Sequence, residues 1–137
     1  MRIFIATVLL SMFGFPALAN DTLYRALGET EGIRAIVQRT ADLAFDDELL
    51  VEQFKHTKKD RLVRLITDQI CELAGGPCDY RGLNMVKAHI KLGITTQEFN
   101  VFAELLQQAM READIDYRTQ NKLLALLAPM KRDIVER

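Results

Sequence analysis

The chain has 137 residues, of which 49% are hydrophobic and 27% are charged, and its formal net charge at pH 7 is −1. These values fit one globular domain with one apolar core. The 18 basic residues are scattered among 19 acidic ones. The sequence therefore lacks the clustered positive charge of a nucleic-acid-binding surface, and we predict no nucleic-acid partner.

The first predicted element is a secretory signal peptide over residues 1–19. Arg2 gives it a positive start, an apolar run follows, and Ala17-Leu18-Ala19 ends in the small-x-small pattern that signal peptidase cleaves. The run is shorter than the roughly 20 apolar residues that span a bilayer, although an uncleaved membrane anchor is the alternative. Cleavage would leave a mature domain over residues 20–137 with no stable membrane insertion, and the periplasm is its expected location.

The first half of the mature chain shows apolar residues at helical spacing. We expect a short helix over residues 23–27, and then a second helix that Thr30 can cap. After a corner at Asp46-Asp47, the segment Thr57 to Asp60 has the form of a capping box, with Asp in place of the usual Glu or Gln. The helix that it would start is predicted to end at Gly75-Gly76.

The second half continues the helical pattern after a loop over residues 77–84. A short helix carries His89, and Gly93 follows at the position of a left-handed C-terminal cap. The segment Thr95 to Glu98 is a complete capping box, and a last helix starts near Asp116. Since no run of alternating polar and apolar residues predicts a strand, the mature domain is predicted to be all-α.

The two cysteines, Cys71 and Cys78, flank the segment Gly75-Gly76-Pro77. Disulfides persist in oxidising compartments, and this turn would let the two Cα atoms approach to the ~4.4–6.8 Å that a disulfide requires. We predict a structural disulfide, with two free thiols as the alternative. The spacing is not that of a Cys-x-x-Cys redox pair.

The two histidines occur in different surroundings. His56 stands among lysines, and we interpret it as an exposed bystander. His89 shares an apolar helical stripe with Met85 and Leu92, where its imidazole needs either a backbone hydrogen bond or a metal or cofactor. No nucleophile–base–orienter set can be assembled. The residue pattern alone therefore indicates no more than a small exported helical domain.

Three stretches of the sequence resemble the bacterial truncated haemoglobins. Leu23 to Gly28 is similar to the start of these proteins, and Leu126 to Val135 is similar to their end. The stretch from Ala74 to Thr95 contains the family's Gly-Gly-Pro and Met-x-x-Ala-His-x-x-Leu-Gly-Ile patterns. The resemblance covers nearly the whole mature chain and implies a two-over-two helical sandwich around haem b. Phe102 stands where two of the three groups of the family carry tryptophan, which points to group 1.

The resemblance also implies roles for single residues. His89 matches the proximal ligand, whose imidazole coordinates the haem iron while its other ring nitrogen is held by a hydrogen bond. Phe54 matches a phenylalanine that packs on the porphyrin, and Met85 matches an apolar residue near the proximal face. Phe99 and Phe102 match core positions that approach the haem, although ordinary core packing would also explain these aromatic residues.

The distal side of the expected pocket departs from the family. Ala41 stands where group 1 commonly has a tyrosine, and Leu62 and Ile66 occupy two further distal positions. Thr40 and Gln69 are the nearest polar side chains. A hydrogen bond to a charged acceptor contributes about 1.5–3 kcal/mol, so the lack of a placed donor predicts short-lived oxygen binding, with CO and NO less affected.

Three functions remain open from the sequence. The first is a haem protein that reversibly binds a diatomic gas, O2, NO or CO, and the sequence does not decide whether it is also an enzyme. The second is a haem redox protein or nitric-oxide dioxygenase, which would need a reductase partner. The third is a haem-free helical interaction module held by the disulfide. The candidates for binding the haem propionates are Lys58, Arg61, Arg81 and Lys91.

Overall fold

The structure is a computed structural model that describes residues 21–136. The predicted signal peptide over residues 1–19 and its cleavage site lie outside the described residues. Within them the chain forms helices and no strand, as predicted. The helices are α1 (Asp21–Ala26), α2 (Glu29–Asp46), α3 (Val51–Phe54), α4 (Lys59–Leu73), α5 (Met85–His89), α6 (Thr96–Glu112), α7 (Tyr117–Leu127), a 3-10 turn (Ala128–Met130) and α8 (Lys131–Ile134).

The long helix α2 lies at the centre of the fold, because α4 and α6 both pack along it. The helix α7 packs against α1 and α6, and the short helix α5 packs against α8. The apolar positions of α2 that the helical spacing predicted are all buried. The core formed by these helices contains Leu27, Ile33, Ile36, Val37, Ala41, Val63, Ile70, Cys71, Ala74, Leu106, Ala109, Met110 and Leu123.

Two of the predicted helix starts are confirmed in detail. Thr95 accepts a hydrogen bond from the Glu98 amide at 3.1 Å, and the Glu98 carboxylate accepts one from the Thr95 amide at 2.7 Å, so the capping box is complete. Asp116 caps α7, since its carboxylate accepts a hydrogen bond from the Thr119 amide at 3.0 Å.

The two other predicted caps are wrong. Helix α2 begins at Glu29 after Gly28, which has a left-handed φ of 84°, and the Thr30 hydroxyl lies 2.9 Å from the Tyr24 hydroxyl instead of capping the helix. Thr57 lies in the turn that follows α3, where its amide donates to the Phe54 carbonyl at 2.8 Å.

Two ion pairs tie neighbouring helices to α2. Arg39 of α2 and Glu112 of α6 are joined at 2.6 Å, and Asp42 of α2 and Lys59 of α4 are joined at 3.1 Å. The hydrogen bond from Arg39 is the main cause that lowers the pKa of Glu112 to about 2. In the described part of the chain, no helix has the length and hydropathy needed to cross a bilayer.

Candidate functional site

His89 is the last residue of α5, and local structure fixes this helix at both ends. Asn84 caps its start, since the Asn84 side-chain oxygen accepts a hydrogen bond from the Lys87 amide at 2.9 Å. The helix ends at His89 with Ile90 as its C-cap, and Lys91 with a φ of 63° takes the left-handed position after it. Gly93 is also left-handed but lies further along the chain, so the cap predicted at Gly93 is wrong. The Asn84 cap and the left-handed Lys91 place a half-buried imidazole at a defined point between the loop that precedes α5 and the start of α6.

The His89 ring is oriented by the main chain of its own helix. Its Nδ1 lies 2.8 Å from the Met85 carbonyl oxygen. Because a carbonyl oxygen only accepts hydrogen bonds, Nδ1 carries the proton, and in a neutral imidazole Nε2 then keeps its lone pair. No group among the described residues forms a hydrogen bond with Nε2. The geometry therefore leaves one ring nitrogen free to act as a ligand.

A cleft of about 430 Å³ opens beside the first half of α4. Leu62 and Leu65 form its apolar part, and Ile66 is half-buried on the same side of the helix. Polar and basic groups form the rest of its lining: His56, Thr57, Lys58 and Arg61. His56 is exposed as predicted, and it is one of the residues that line the cleft. The volume falls within the ~300–1,000 Å³ that is typical of small-molecule sites.

Three phenylalanine rings form a cluster between α2, α3 and α6. The rings of Phe45 and Phe54 are stacked with centroids 4.9 Å apart, and the Phe102 ring lies 6.2 Å from Phe54. Phe54 and Phe102 were site residues in the sequence analysis, whereas Phe45 was missed. It lies four residues after Ala41 on the same face of α2, and this spacing could have identified it.

The ring of Phe99, the remaining predicted aromatic residue, contacts the side chain of Lys131. The ammonium group of Lys131 is 5.7 Å from the centre of its ring. Phe99 is half-buried at the start of α6, and its neighbour Glu98 accepts a hydrogen bond from Gln53 of α3 at 2.9 Å. This bond ties the start of α6 to the helix that carries Phe54.

The two polar side chains proposed for the distal side are both engaged elsewhere. Thr40 is buried, and its hydroxyl donates to the Ile36 carbonyl at 2.8 Å. The Gln69 amide nitrogen lies 3.7 Å from the Met85 sulfur, at the junction between α4 and α5. Ala41 is buried in the core. The Thr40 hydroxyl is therefore engaged within its own helix, and one of the two amide hydrogens of Gln69 is directed at Met85.

Large apolar side chains remain exposed around α5. Val86 and Ile90 are 52% and 62% exposed, and Leu83 and Leu92, which flank the helix, are 57% and 46% exposed. Exposed apolar residues that cluster in one region mark a surface that a ligand or partner covers. Here the region is the one that carries His89.

The structure joins Cys71 and Cys78 in a disulfide with Cα atoms 5.7 Å apart. The Thr30 hydroxyl lies 3.8 Å from each sulfur. A Cβ atom added to Gly76 would come within 2.5 Å of the Tyr24 ring and 2.7 Å of the Cys71 sulfur, so this turn requires glycine. The bridge connects the end of α4 with the loop that leads to α5.

These residues fit haem, which is a flat apolar macrocycle with two carboxylates and an iron that accepts nitrogen ligands. A histidine nitrogen with a free lone pair, apolar and aromatic side chains, and a cationic rim supply the complementary chemistry. An all-α fold with a cleft along α4 and a backbone-oriented histidine on α5 is the arrangement expected of a globin.

The model of the bacterial-like globin family matches residues 22–136. The chain therefore belongs to the bacterial-like globin family, and membership in it implies a haem cofactor. The match covers essentially all of the described residues, so the whole fold is that of one globin domain.

Individual relatives agree with this assignment. The chain is 26% identical to the group 1 truncated haemoglobin of Tetrahymena pyriformis over 115 residues, which is 84% of this chain and 95% of the relative. It is 22% identical over 114 residues to the group 1 truncated haemoglobin of Tetrahymena thermophila, which is 83% of this chain and 94% of that protein.

Solved structures support the same fold. The crystal structure of the T. pyriformis protein in its Fe(III) form superposes with a TM-score of 0.80 at 25% identity, over 84% of this chain and 98% of that one. The 2/2 haemoglobin from Synechococcus sp. PCC 7002, in the cyanomet state with covalently attached haem, superposes with a TM-score of 0.77 at 21% identity, again over 84% and 98%. The predicted two-over-two sandwich is confirmed.

Proposed function

We propose that this globin binds haem b in the cleft, with Nε2 of His89 as the protein ligand of the iron, and that it binds a diatomic gas reversibly. The observation that carries the proposal is the 2.8 Å bond between Nδ1 of His89 and the Met85 carbonyl. It fixes the tautomer in which Nε2 can act as a ligand, and it holds the ring in one orientation. The haem would supply an iron that binds O2, NO or CO.

The other residues of the site would hold the macrocycle and exclude water. Phe54 and Phe102 offer aromatic surface, and Leu62 and Ile66 offer apolar surface on α4. Covering half-buried apolar side chains with a cofactor is favourable by about 25 cal/mol for each Å² removed from water. Met85, which bonds to the His89 ring through its carbonyl, would contribute further apolar surface, and Phe99 would do so from the start of α6.

The cationic rim of the cleft would bind the haem propionates. Of the four basic residues considered in the sequence, Lys58 and Arg61 line the cleft. Arg81 is paired with Asp79 at 2.8 Å in a fully exposed position, and Lys91 is exposed outside the cleft lining. We therefore assign this role to Lys58 and Arg61.

Oxygen retention would be weak in this pocket. Thr40 donates its hydroxyl hydrogen to Ile36, Gln69 directs one amide hydrogen to Met85, and the α4 side chains proposed for the distal side are the apolar Leu62 and Ile66. A gas that does not depend on a hydrogen-bond donor, such as CO, would be retained better than oxygen. Both curated relatives carry the group 1 name, which supports group 1 membership for this chain as well.

We also propose that the protein is exported and acts outside the cytoplasm, in the periplasm. The support is the signal-peptide pattern of residues 1–19 together with the Cys71–Cys78 bridge. The mass of the protein isolated from the expressing cells tests this directly. Cleavage after Ala19, leaving Asn20 first, is expected, and a chain that retains Met1 would contradict export by this route.

Titration of the protein with haemin tests the proposed function. We expect stoichiometric uptake with a Soret band, which His89→Ala abolishes or weakens strongly. Asn121→Ala, at an exposed position of α7 that does not line the cleft, is the control, and it should bind haemin as the unchanged protein does. No stoichiometric uptake by the unchanged protein, or equal uptake and an unchanged spectrum in His89→Ala, would contradict the proposal.

A further inference from the structure

The helix that carries His89 is short and lightly held. Helix α5 has five residues, far fewer than the roughly 12–15 that make an isolated helix even marginally stable in water. Its Val86 and the adjoining Ile90 are more than half exposed, and its main packing partner is the equally short α8. The orientation of α5 must therefore depend on a few specific contacts.

Most of these contacts come from residues next to α5 in the chain. Asn84 caps it, and the Tyr80 hydroxyl donates to the Leu83 carbonyl at 2.8 Å. Burial raises the pKa of Tyr80, which keeps this hydroxyl a donor. These bonds shape the approach to α5, but they do not connect it to the long helices of the fold.

One side chain makes that connection. The Gln69 amide of α4 donates to the Met85 sulfur at 3.7 Å, within the distance for a hydrogen bond to sulfur. Among the described residues this is the hydrogen bond that links a side chain of α4 with a residue of α5. Helix α4 is in turn fixed to α2 by the buried residues Val63 and Ile70.

Met85 then connects Gln69 to the histidine. Its sulfur accepts the bond from Gln69, and its carbonyl oxygen accepts the bond from Nδ1 of His89 at 2.8 Å. We propose that Gln69 is a positioning residue for His89, acting through Met85, so that α4 sets the orientation of the imidazole ring. This inference rests on the proposed role of His89 as the haem ligand.

A positioning role is distinct from the distal role that the sequence suggested for Gln69. A donor to the bound gas would change oxygen dissociation and leave the bond between iron and histidine unaltered. A positioning residue would change the iron–histidine bond itself, and it would also change the stability of α5 in protein without haem.

The substitution Gln69→Met tests the inference, because methionine keeps the length of the side chain and removes the amide donor. In the ferrous haem protein, we expect the iron–histidine stretching band in the resonance Raman spectrum to shift or broaden. In the haem-free protein, hydrogen exchange of the Ala88 amide, which bonds to the Asn84 carbonyl at 2.9 Å, should become roughly twofold to fivefold faster.

Two further variants make the test specific. Met85→Leu removes the sulfur acceptor and should reproduce both effects, and the double variant should add little, because both changes break one contact. Gln108→Met is the matched control. The Gln108 amide donates to Glu112 at 2.9 Å on α6, and its loss should leave the Raman band and the Ala88 exchange unchanged.

The outcomes separate the inference from the proposed function. An unchanged band and unchanged exchange in Gln69→Met would overturn the positioning role, as would a change confined to oxygen dissociation. If the unchanged protein shows no iron–histidine band and His89→Ala retains haem, the proposed function fails instead. The exchange measurement on the haem-free protein then still decides whether Gln69 and Met85 together hold α5.

Discussion

The two faces of α4 are packed very differently. The face toward α2 carries Val63, Thr67 and Ile70, which are all buried. The face one position away carries Leu62 and Ile66, which are as apolar as their neighbours but only half-buried. Both faces come from one helix of one sequence. The protein itself therefore completes the packing of the first face. On the second face Ile66 packs only partly against the core, and Leu62 lines the open cleft.

The same contrast separates α2 from α5. Every predicted apolar position of α2 is buried in the core, whereas α5 and its flanks leave Leu83, Val86 and Ile90 more than half exposed. Exposed apolar side chains clustered around a histidine on a lightly packed helix are typical of a surface that a ligand or partner covers, because stability alone would favour burying them.

Two truncations of equal size, one on each face of α4, provide the strongest test of this contrast. Ile70→Ala should destabilise the haem-free protein by about 2–5 kcal/mol, since it leaves a cavity in a closed core. Leu62→Ala, a truncation of the same size at a residue that lines the cleft, should cost about half as much or less, because water already reaches part of its side chain. Urea unfolding of both haem-free variants measures the difference. Equal costs would show that the two faces are equally well packed.

The Cys71–Cys78 disulfide joins the end of α4 to the loop that leads to α5. Reduction with a dithiol should lower the free energy of unfolding by about 2–3 kcal/mol, because the bridge closes a short loop in the unfolded chain. Urea unfolding with and without dithiol measures this effect. The double variant Cys71→Ala with Cys78→Ala is the control and should not respond to the reductant. A response of the same size in that variant would contradict this prediction.

A donor placed on the cleft face should change gas binding. In Leu62→Gln, an amide would stand where the apolar side chain lines the cleft, and oxygen dissociation should slow by roughly 10-fold to 100-fold, the equivalent of about 1.5–3 kcal/mol. CO dissociation should change much less. Stopped-flow measurements compare the two gases, with Leu62→Met as the control of similar size. If oxygen already dissociates slowly from the unchanged protein, the pocket contains a donor that this account does not include.

The smallest predicted effect concerns the pair Arg39–Glu112, which joins α2 and α6 at the surface. The folded protein holds the pKa of Glu112 at about 2, below the ordinary value of 4.5. A lowered pKa contributes stability above the ordinary pKa, and this contribution is lost as the pH falls from about 4.5 toward about 2.

Glu112→Gln should therefore flatten the fall of stability in that window and change little at neutral pH, where an exposed pair contributes little. Unfolding by urea at a series of pH values gives the two curves. Parallel curves for the variant and the unchanged protein between pH 2 and 4.5 would contradict the assignment to this pair.

Local patterns in the sequence predicted the fold well where neighbouring residues decide the structure. The capping box from Thr95 to Glu98 needs only four consecutive residues, and both of its bonds are present. The cap at Thr30 was wrong because tertiary contact decides its position: its hydroxyl is bonded to Tyr24 on the preceding helix. The cap predicted at Thr57 was wrong because Thr57 lies in the turn after α3, where its amide donates to the Phe54 carbonyl.

Among the candidate site residues, too, local relations along one helix could be predicted, whereas a tertiary contact could not. His89 and Met85 share one helical turn, so their relation could be predicted from the sequence. The bond of Thr40 to its i−4 carbonyl follows a known local preference of threonine in helices and could have been expected. The contact between Gln69 and Met85 could not, because it depends on how the loop over residues 74–84 folds back.

The most direct test of the central claim replaces the side chain of His89 and then supplies its imidazole in solution. In His89→Gly, haem should be bound weakly or with an altered spectrum, and added imidazole should restore the spectrum of the unchanged protein. The control variant Asn121→Gly, on the exposed side of α7, should show that spectrum without imidazole. If His89→Gly binds haem with the original spectrum, or if imidazole restores nothing while the variant remains folded, then His89 is not the ligand of the iron.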